Sequence, residues 1–198
     1  MNFHKFIRDG EGWESLRQKL EFANPYVEVY TTETRTPSTP EGRSWTVVHR
    51  KGTSVVAPRT RDGKYLLVRQ ERIPIRAAIW EFPAGQIDEK CEHDDRAIRA
   101  TAQRELREET GYELAPEGEL VALGHFFPSA GFTDEHSHLF LATPVVPSPE
   151  GHAHDENEVI VECRAFTRDE LRAMIAQNEI RDANTLSAFA RMCALDLF

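Results

Sequence analysis

Residues 104–112 read Arg-Glu-Leu-Arg-Glu-Glu-Thr-Gly-Tyr, and their three carboxylates, Glu105, Glu108 and Glu109, stand at i, i+3 and i+4. On a helix that spacing gathers them on one side. Indexing residues 96–110 at about 100° per residue puts Ile98, Ala102 and Leu106 on one stripe. Arg96, Gln103 and Arg107 fall on the face opposite, with Arg99 at its edge. Glu105 and Glu109 lie within or beside the apolar stripe, and Glu108 lies on its flank. A solvated acidic face would carry its acids on the other side. Carboxylates that face a core repel one another and lose hydration, so they need positive partners, of which a divalent cation is the simplest. The chain has to fold around a helix that carries acid toward the interior.

At 198 residues, with 40% apolar and 29% charged residues, one globular domain with a small extension is expected. No apolar run reaches the length of about 20 residues that spans a bilayer. The first twenty residues mix Lys5, Arg8, Asp9, Glu11 and Glu14 with aromatics, so a secretory leader is not expected. Residues 12–22 read as a short amphipathic helix. Cys91, Cys163 and Cys193 are odd in number and widely spaced, which argues against a disulfide framework and for a reducing cytoplasm. Cys163 alternates with Val159 and Val161 and reads as buried filler. A formal charge of −9 argues against nucleic acid held in a basic groove, while a phosphate-bearing small molecule stays compatible if cations neutralise both sides.

Segments 26–32 and 45–51 are rich in β-branched and aromatic residues and read as a hairpin with a longish loop at 37–42. Segments 53–57 and 65–69 flank Asp62-Gly63, a hairpin turn signal. A short strand at 80–82 runs into Pro83-Ala84-Gly85, and a polar loop follows to His93. Asp94 or Asp95 caps the acidic helix, and Gly111 stops it. Strands at 121–127 and 138–142 enclose a loop, and a second loop at 144–156 precedes a strand at 158–166. Thr167-Arg168-Asp169-Glu170 is a capping box, and Asp182 opens a last helix with Leu186, Phe189, Met192 and Cys193 on one side. The order predicts a mixed sheet with helices on both faces. His136-x-His138 and His152-x-His154 lack the Cys or His partners that a closed zinc site needs.

Gly85 together with residues 104–112 resembles the Nudix box, G-x5-E-x7-R-E-U-x-E-E-x-G-U, where U is a bulky apolar residue. Its second half is matched at Arg104, Glu105, Leu106, Glu108, Glu109, Gly111 and Tyr112. Its first half departs: Cys91 stands where the spacing places a glutamate, and Glu92 lies twelve residues before Arg104 where the box has eight. Four of the surplus residues add about one helical turn and rotate the face by only about 40°. Further stretches are similar to the ADP-ribose pyrophosphatase branch. These are Gln70-Glu71-Arg72, residues 80–88, Ser129-Ala130-Gly131-Phe132-Thr133-Asp134-Glu135 with Ala130 in a proline's place, Asp155-Glu156-Asn157-Glu158, and Ile180-Arg181-Asp182-Ala183.

The resemblance implies an α/β fold: a Nudix-type α/β/α sandwich with a mixed β-sheet, plus a small N-terminal β-hairpin region. Residues 1–52 would hold the N-terminal helix and hairpin and serve dimerisation, and residues 53–198 would form the hydrolase domain. Glu105, Glu109 and Glu158, with the Ala84 carbonyl, would bind Mg²⁺ or Mn²⁺, and Glu108 would complete the cluster. Arg104 would hold a glutamate in place. Glu156 resembles the base that takes a proton from water, with Glu158 the alternative. Arg72 would meet a substrate phosphate or form a structural ion pair, and Phe132 and Glu135 would touch a terminal ribose. Trp80 reads as core. The implied activity is hydrolysis of ADP-ribose or a related nucleoside diphosphate sugar by a homodimer that binds neither nucleic acid nor membrane. A nucleotide-sensing module is the other class of answer, and three inward carboxylates speak against it.

Overall fold

The computed structural model describes residues 10–87, 94–153 and 159–198. Ten strands and three α-helices are formed by the described residues. A three-stranded antiparallel sheet comes first: β1 (Glu14–Ala23), β2 (Glu28–Thr36) and β3 (Thr39–His49), in the order β1-β2-β3. The main sheet contains β4 (Thr53–Thr60), β5 (Tyr65–Arg72), β6 (Ala77–Glu81), β7 (Ala84–Gln86), β8 (Tyr112–Phe126), β9 (Ser137–Pro147) and β10 (Ile160–Phe166). Its path runs β10-β5-β4-β9-β8, with β6 on β5 and β7 on β4. The β4–β9 pair is parallel and the other pairs are antiparallel, so the sheet is mixed.

Successive side chains of a strand point to opposite faces, and the central strands are apolar on both. Val55 and Ala57 join Tyr65, Leu67, Leu139 and Leu141 on one side, against Leu171 and Met174 of α2 (Arg168–Ala176) and Ala188 and Met192 of α3 (Ala183–Ala194). Val56 joins Leu66 and Phe140 on the other side, against Ile98, Ala102 and Leu106 of α1 (Asp95–Thr110). This is the expected three-layer α/β/α arrangement. Each fully buried Leu, Ile or Phe in these layers contributes about 1.5–3 kcal/mol.

The caps fall where the residue types require them. The Asp94 carboxylate accepts from the Arg96 N–H, and Gly111, at φ 72°, donates its N–H to the Arg107 carbonyl. Thr167 and Glu170 close a reciprocal capping box on α2. Asp182 accepts from the Thr185 N–H at the start of α3.

Three expectations are corrected. The helix expected over 12–22 is strand β1, because pairing with β2 from Glu14↔Arg35 to Ala23↔Glu28 satisfies its backbone. The loop expected over 37–42 shrinks to a turn at Pro37-Ser38, since Thr36 already faces Thr39 across the β2–β3 ladder. On α3 Met192 is buried with Thr185 and Ala188, and Leu186 and Phe189 pack partly buried against the core, but Cys193 is exposed.

The N-terminal sheet is joined to the loop between β8 and β9. The Val48 N–H donates to the Phe132 carbonyl (2.8 Å) and the Thr133 hydroxyl donates to the Val48 carbonyl (2.8 Å). The Trp45 indole donates to the Gly131 carbonyl (2.9 Å), and His49 pairs with Asp134.

Candidate active site

Helix α1 presents its carboxylates inward. Glu105 is 4% exposed and Glu109 2%. They meet the short segment that runs from β6 into β7. The Ala84 N–H donates to Glu109 Oε2 at 3.2 Å. At Gly85 a built Cβ would lie 1.8 Å from Glu105 Oε1, so the absence of a side chain there makes the space for that carboxylate. Arg104 sits beside the pair, 2.6 Å from Glu105 Oε1 and 2.7 Å from Glu108 Oε2. Ala84, Glu105, Glu109, Glu108 and Arg104 are therefore brought together at one place.

Arg72, at the end of β5, forms a two-pronged ion pair with Glu81 at the end of β6, with Nε 2.9 Å and Nη2 2.5 Å from the carboxylate. Glu81 is 2% exposed. Burial pushes the Glu81 carboxyl above its ordinary range, and the Arg72 guanidinium opposes that shift without cancelling it. The hydrogen bond to Glu81 raises Arg72 in turn, and the nearby charges of Asp182 and Glu109 add to it, so the guanidinium stays protonated. Arg72 and Glu109 thus share one electrostatic neighbourhood. Arg72 Nη1 has no partner among the described residues, and the side chain is 38% exposed at the edge of a cleft of about 360 Å³.

Glu156 and Glu158 lie outside the described residues. The chain on either side of them is anchored at the site. The Ala153 N–H donates to the Glu108 carbonyl (3.1 Å), and the Val159 carbonyl accepts from the Glu71 N–H (3.0 Å). Cys91 and Glu92, on which the departure of the box's first half rests, also lie outside.

Phe132 and Glu135 have their partners at and just beyond the end of β3. The Phe132 carbonyl accepts from the Val48 N–H, Glu135 pairs with Arg50 at 2.9 Å, and Phe132 is 53% exposed. Trp80 packs edge-on against Phe166, with Arg164 over its other contact face, in keeping with a core role. Cys163 is corrected from filler to an exposed residue. It lines a cleft of about 440 Å³ with Glu109, Tyr112, His152 and Glu162. Desolvation by the cleft walls, with the charges of Glu109 and Glu162, pushes its thiol up to about 11.

The sequence reading missed Glu81. The signal was present: the alternation that turns Ile79 inward on β6 turns Glu81 inward as well, and the two are 7% and 2% exposed. Among the described residues, no three His, Cys, Asp or Glu side chains converge closely enough to hold an ion by themselves. The donor set suits a hard cation that keeps water and takes carbonyl and phosphate oxygens as further ligands.

The chain is similar to known proteins. The NUDIX domain family matches residues 48–189. The chain belongs to the Nudix family. It is 33% identical over 175 residues to the ADP-ribose pyrophosphatase of Bacillus subtilis (strain 168), covering 88% of this chain and 89% of that protein. It is 31% identical over 175 residues to the methanol dehydrogenase activator of Bacillus methanolicus, with the same coverage. Among solved structures, that of an ADP compounds hydrolase superposes with a TM-score of 0.74, covering 98% of this chain and all of the other at 15% identity, a likeness of fold. The protein is a Nudix hydrolase similar to ADP-ribose pyrophosphatases. Among the described residues no helix of this Nudix hydrolase is long and apolar enough to cross a membrane.

Proposed function

We propose that the protein hydrolyses the diphosphate linkage of ADP-ribose or a related nucleoside diphosphate sugar in a Mg²⁺-dependent reaction, with Mn²⁺ as an alternative ion. The observation that carries this reading is the inward pair Glu105 and Glu109 facing the Cβ-free space at Gly85. Two buried carboxylates on one helix face, beside a backbone segment and within reach of Arg104, fit a cation that shares them with phosphate oxygens. The names of the relatives support the substrate class.

Glu105, Glu109, the Ala84 carbonyl and Glu158 would hold the ion. When bound it supplies positive charge against the diphosphate oxygens and lowers the cost of charge building there. Arg104 keeps Glu105 and Glu108 oriented through its paired contacts. Arg72, held flat by Glu81, offers Nη1 to a phosphate oxygen. Glu156, or Glu158 in its place, takes the proton from the attacking water. A water oxygen–phosphorus bond forms and the bridging oxygen–phosphorus bond breaks. ADP-ribose would give AMP and ribose 5-phosphate. The anchoring of residues 153 and 159 beside Glu108 and Glu71 supports a role for the acidic loop. Phe132 and Glu135 would meet the distal ribose from the β8–β9 loop.

The test is a panel of nucleoside diphosphate sugars and nucleoside triphosphates with Mg²⁺, read as nucleoside monophosphate release by chromatography. Preference for ADP-ribose or a close relative is expected. Release only from triphosphates would overturn the substrate assignment.

We further infer a cytoplasmic homodimer in which residues 1–52 serve assembly and residues 53–198 catalysis. The N-terminal sheet supports this, because Trp13, Leu20, Phe22 and Trp45 are each at least half exposed. An apolar face of that kind gains by pairing with a second copy. Sedimentation should show a dimer, and a fully active monomer would refute the assignment.

A further inference from the structure

We propose that Thr185 is a positioning residue for the metal-facing segment, acting from the far layer of the sandwich through Phe82. The inference rests on the reading above that Ala84 and Glu109 help hold the cation. It concerns how the Ala84 segment is kept in place.

Phe82 follows the last residue of β6 and is 1% exposed, so its N–H needs an acceptor inside the protein. That acceptor is Thr185 Oγ1, at 2.8 Å. Thr185 is 0% exposed. Its own hydroxyl proton is committed, because Oγ1 donates to Asp182 Oδ2 at 2.8 Å, which also accepts from the Thr185 N–H at 2.7 Å. The oxygen is thereby left with its lone pairs toward Phe82. The cap of α3 and the end of β6 form one bonded chain, from Asp182 through Thr185 to Phe82.

The next two residues are fixed from other layers. The Pro83 carbonyl accepts from the Val56 N–H in β4 at 2.9 Å. The Ala84 N–H donates to Glu109 on α1 at 3.2 Å. Three consecutive residues are thus pinned by α3, β4 and α1 in turn. Loss of the first pin releases the backbone two residues before Ala84 and three before Gly85, which makes the space for Glu105. Groups that orient metal ligands without touching the ion commonly change metal affinity by about 10–100-fold when removed.

The hydroxyl and the methyl of Thr185 have separable jobs. Thr185→Val keeps the buried shape and removes the acceptor. Thr185→Ser keeps the acceptor and removes buried methyl packing. Mn²⁺ binding to the full chain, without nucleotide, is followed by electron paramagnetic resonance, beside thermal melts of the same samples. Thr185→Val is expected to bind Mn²⁺ about tenfold more weakly. Thr185→Ser is expected to melt earlier and bind Mn²⁺ as the wild type does. That crossed pattern is not produced by a purely structural threonine, for which affinity stays constant wherever the protein folds. A folded Thr185→Val with wild-type affinity overturns the inference. Should that variant fail to fold, Thr185→Ala takes its place with the same expected loss and the same overturning result. Glu109→Gln is the control. If it loses Mn²⁺ while the Thr185 variants keep it, this inference alone falls. If the wild type binds no Mn²⁺, the metal assignment falls and takes this one with it.

Discussion

Glu109→Gln is expected to lower kcat by at least about a thousandfold, or about 4 kcal/mol of transition-state stabilisation, with the fold intact. The amide preserves the acceptor for the Ala84 N–H and nearly the same volume. It removes one of two carboxylates that sit four residues apart on α1 at 4% and 2% exposure. Without a cation, Arg104 beside Glu105 and the Ala84 N–H at Glu109 offset their mutual repulsion and lost hydration in part, and the remainder weighs on the fold. The metal-free variant is therefore expected to melt at or above the wild-type temperature. Added Mg²⁺ should raise the melting point of the wild type and leave that of the variant unmoved, since only a binding-competent native state gains from ligand. Turnover near the wild-type level would remove Glu109 from the proposed metal site.

Gly85→Ala is expected to cost about a hundredfold in kcat/KM while costing little stability. The backbone at Gly85 does not need the left-handed region, so alanine is tolerated there by conformation. The new Cβ would lie 1.8 Å from Glu105 Oε1 and 2.1 Å from Cδ, which are the far end of a side chain that can rotate away. The fold survives because the carboxylate yields, and the carboxylate that yields no longer stands where a cation is held. Melting within a few degrees of the wild type, together with weakened Mg²⁺ activation, is the expected pair of results. Wild-type activation by Mg²⁺ would show that Glu105 does not need that space.

The parts of the fold that could be read beforehand were those in which local chemistry and packing agree. Helix α1 is the clearest case: Asp94 caps it, Gly111 ends it, Ile98, Ala102 and Leu106 bury, and the carboxylates of Glu105 and Glu109 turn inward as the indexing requires. The capping box at Thr167 and the helix start at Asp182 were equally plain. Strand β1 was not, because Glu14-Ser15-Leu16-Arg17-Gln18-Lys19-Leu20 consists mostly of good helix formers. All ten of its residues are exposed in the single chain, so no burial pattern announced a strand, and the ladder with β2 decides the outcome. Within the proposed site, the inward setting of Glu105 and Glu109 could be read from one helix, whereas Ala84 came only through the resemblance. The Arg72–Glu81 pair could not be read, because it joins two strand ends whose register is set by the β5–β6 ladder from Val68↔Glu81 to Arg72↔Ala77. Thr185 was further out of reach, since its bond to Phe82 spans 103 positions along the chain.

The ties among Trp45, Val48, His49 and residues 131–134 have a practical corollary. A fragment beginning at residue 53 would keep every proposed metal ligand, yet its β8–β9 loop would lose the amide, indole and imidazole groups that shape it. The role proposed for the amino-terminal quarter does not make it detachable: trimming it would deform the rim at which the sugar end of a nucleotide is expected to rest.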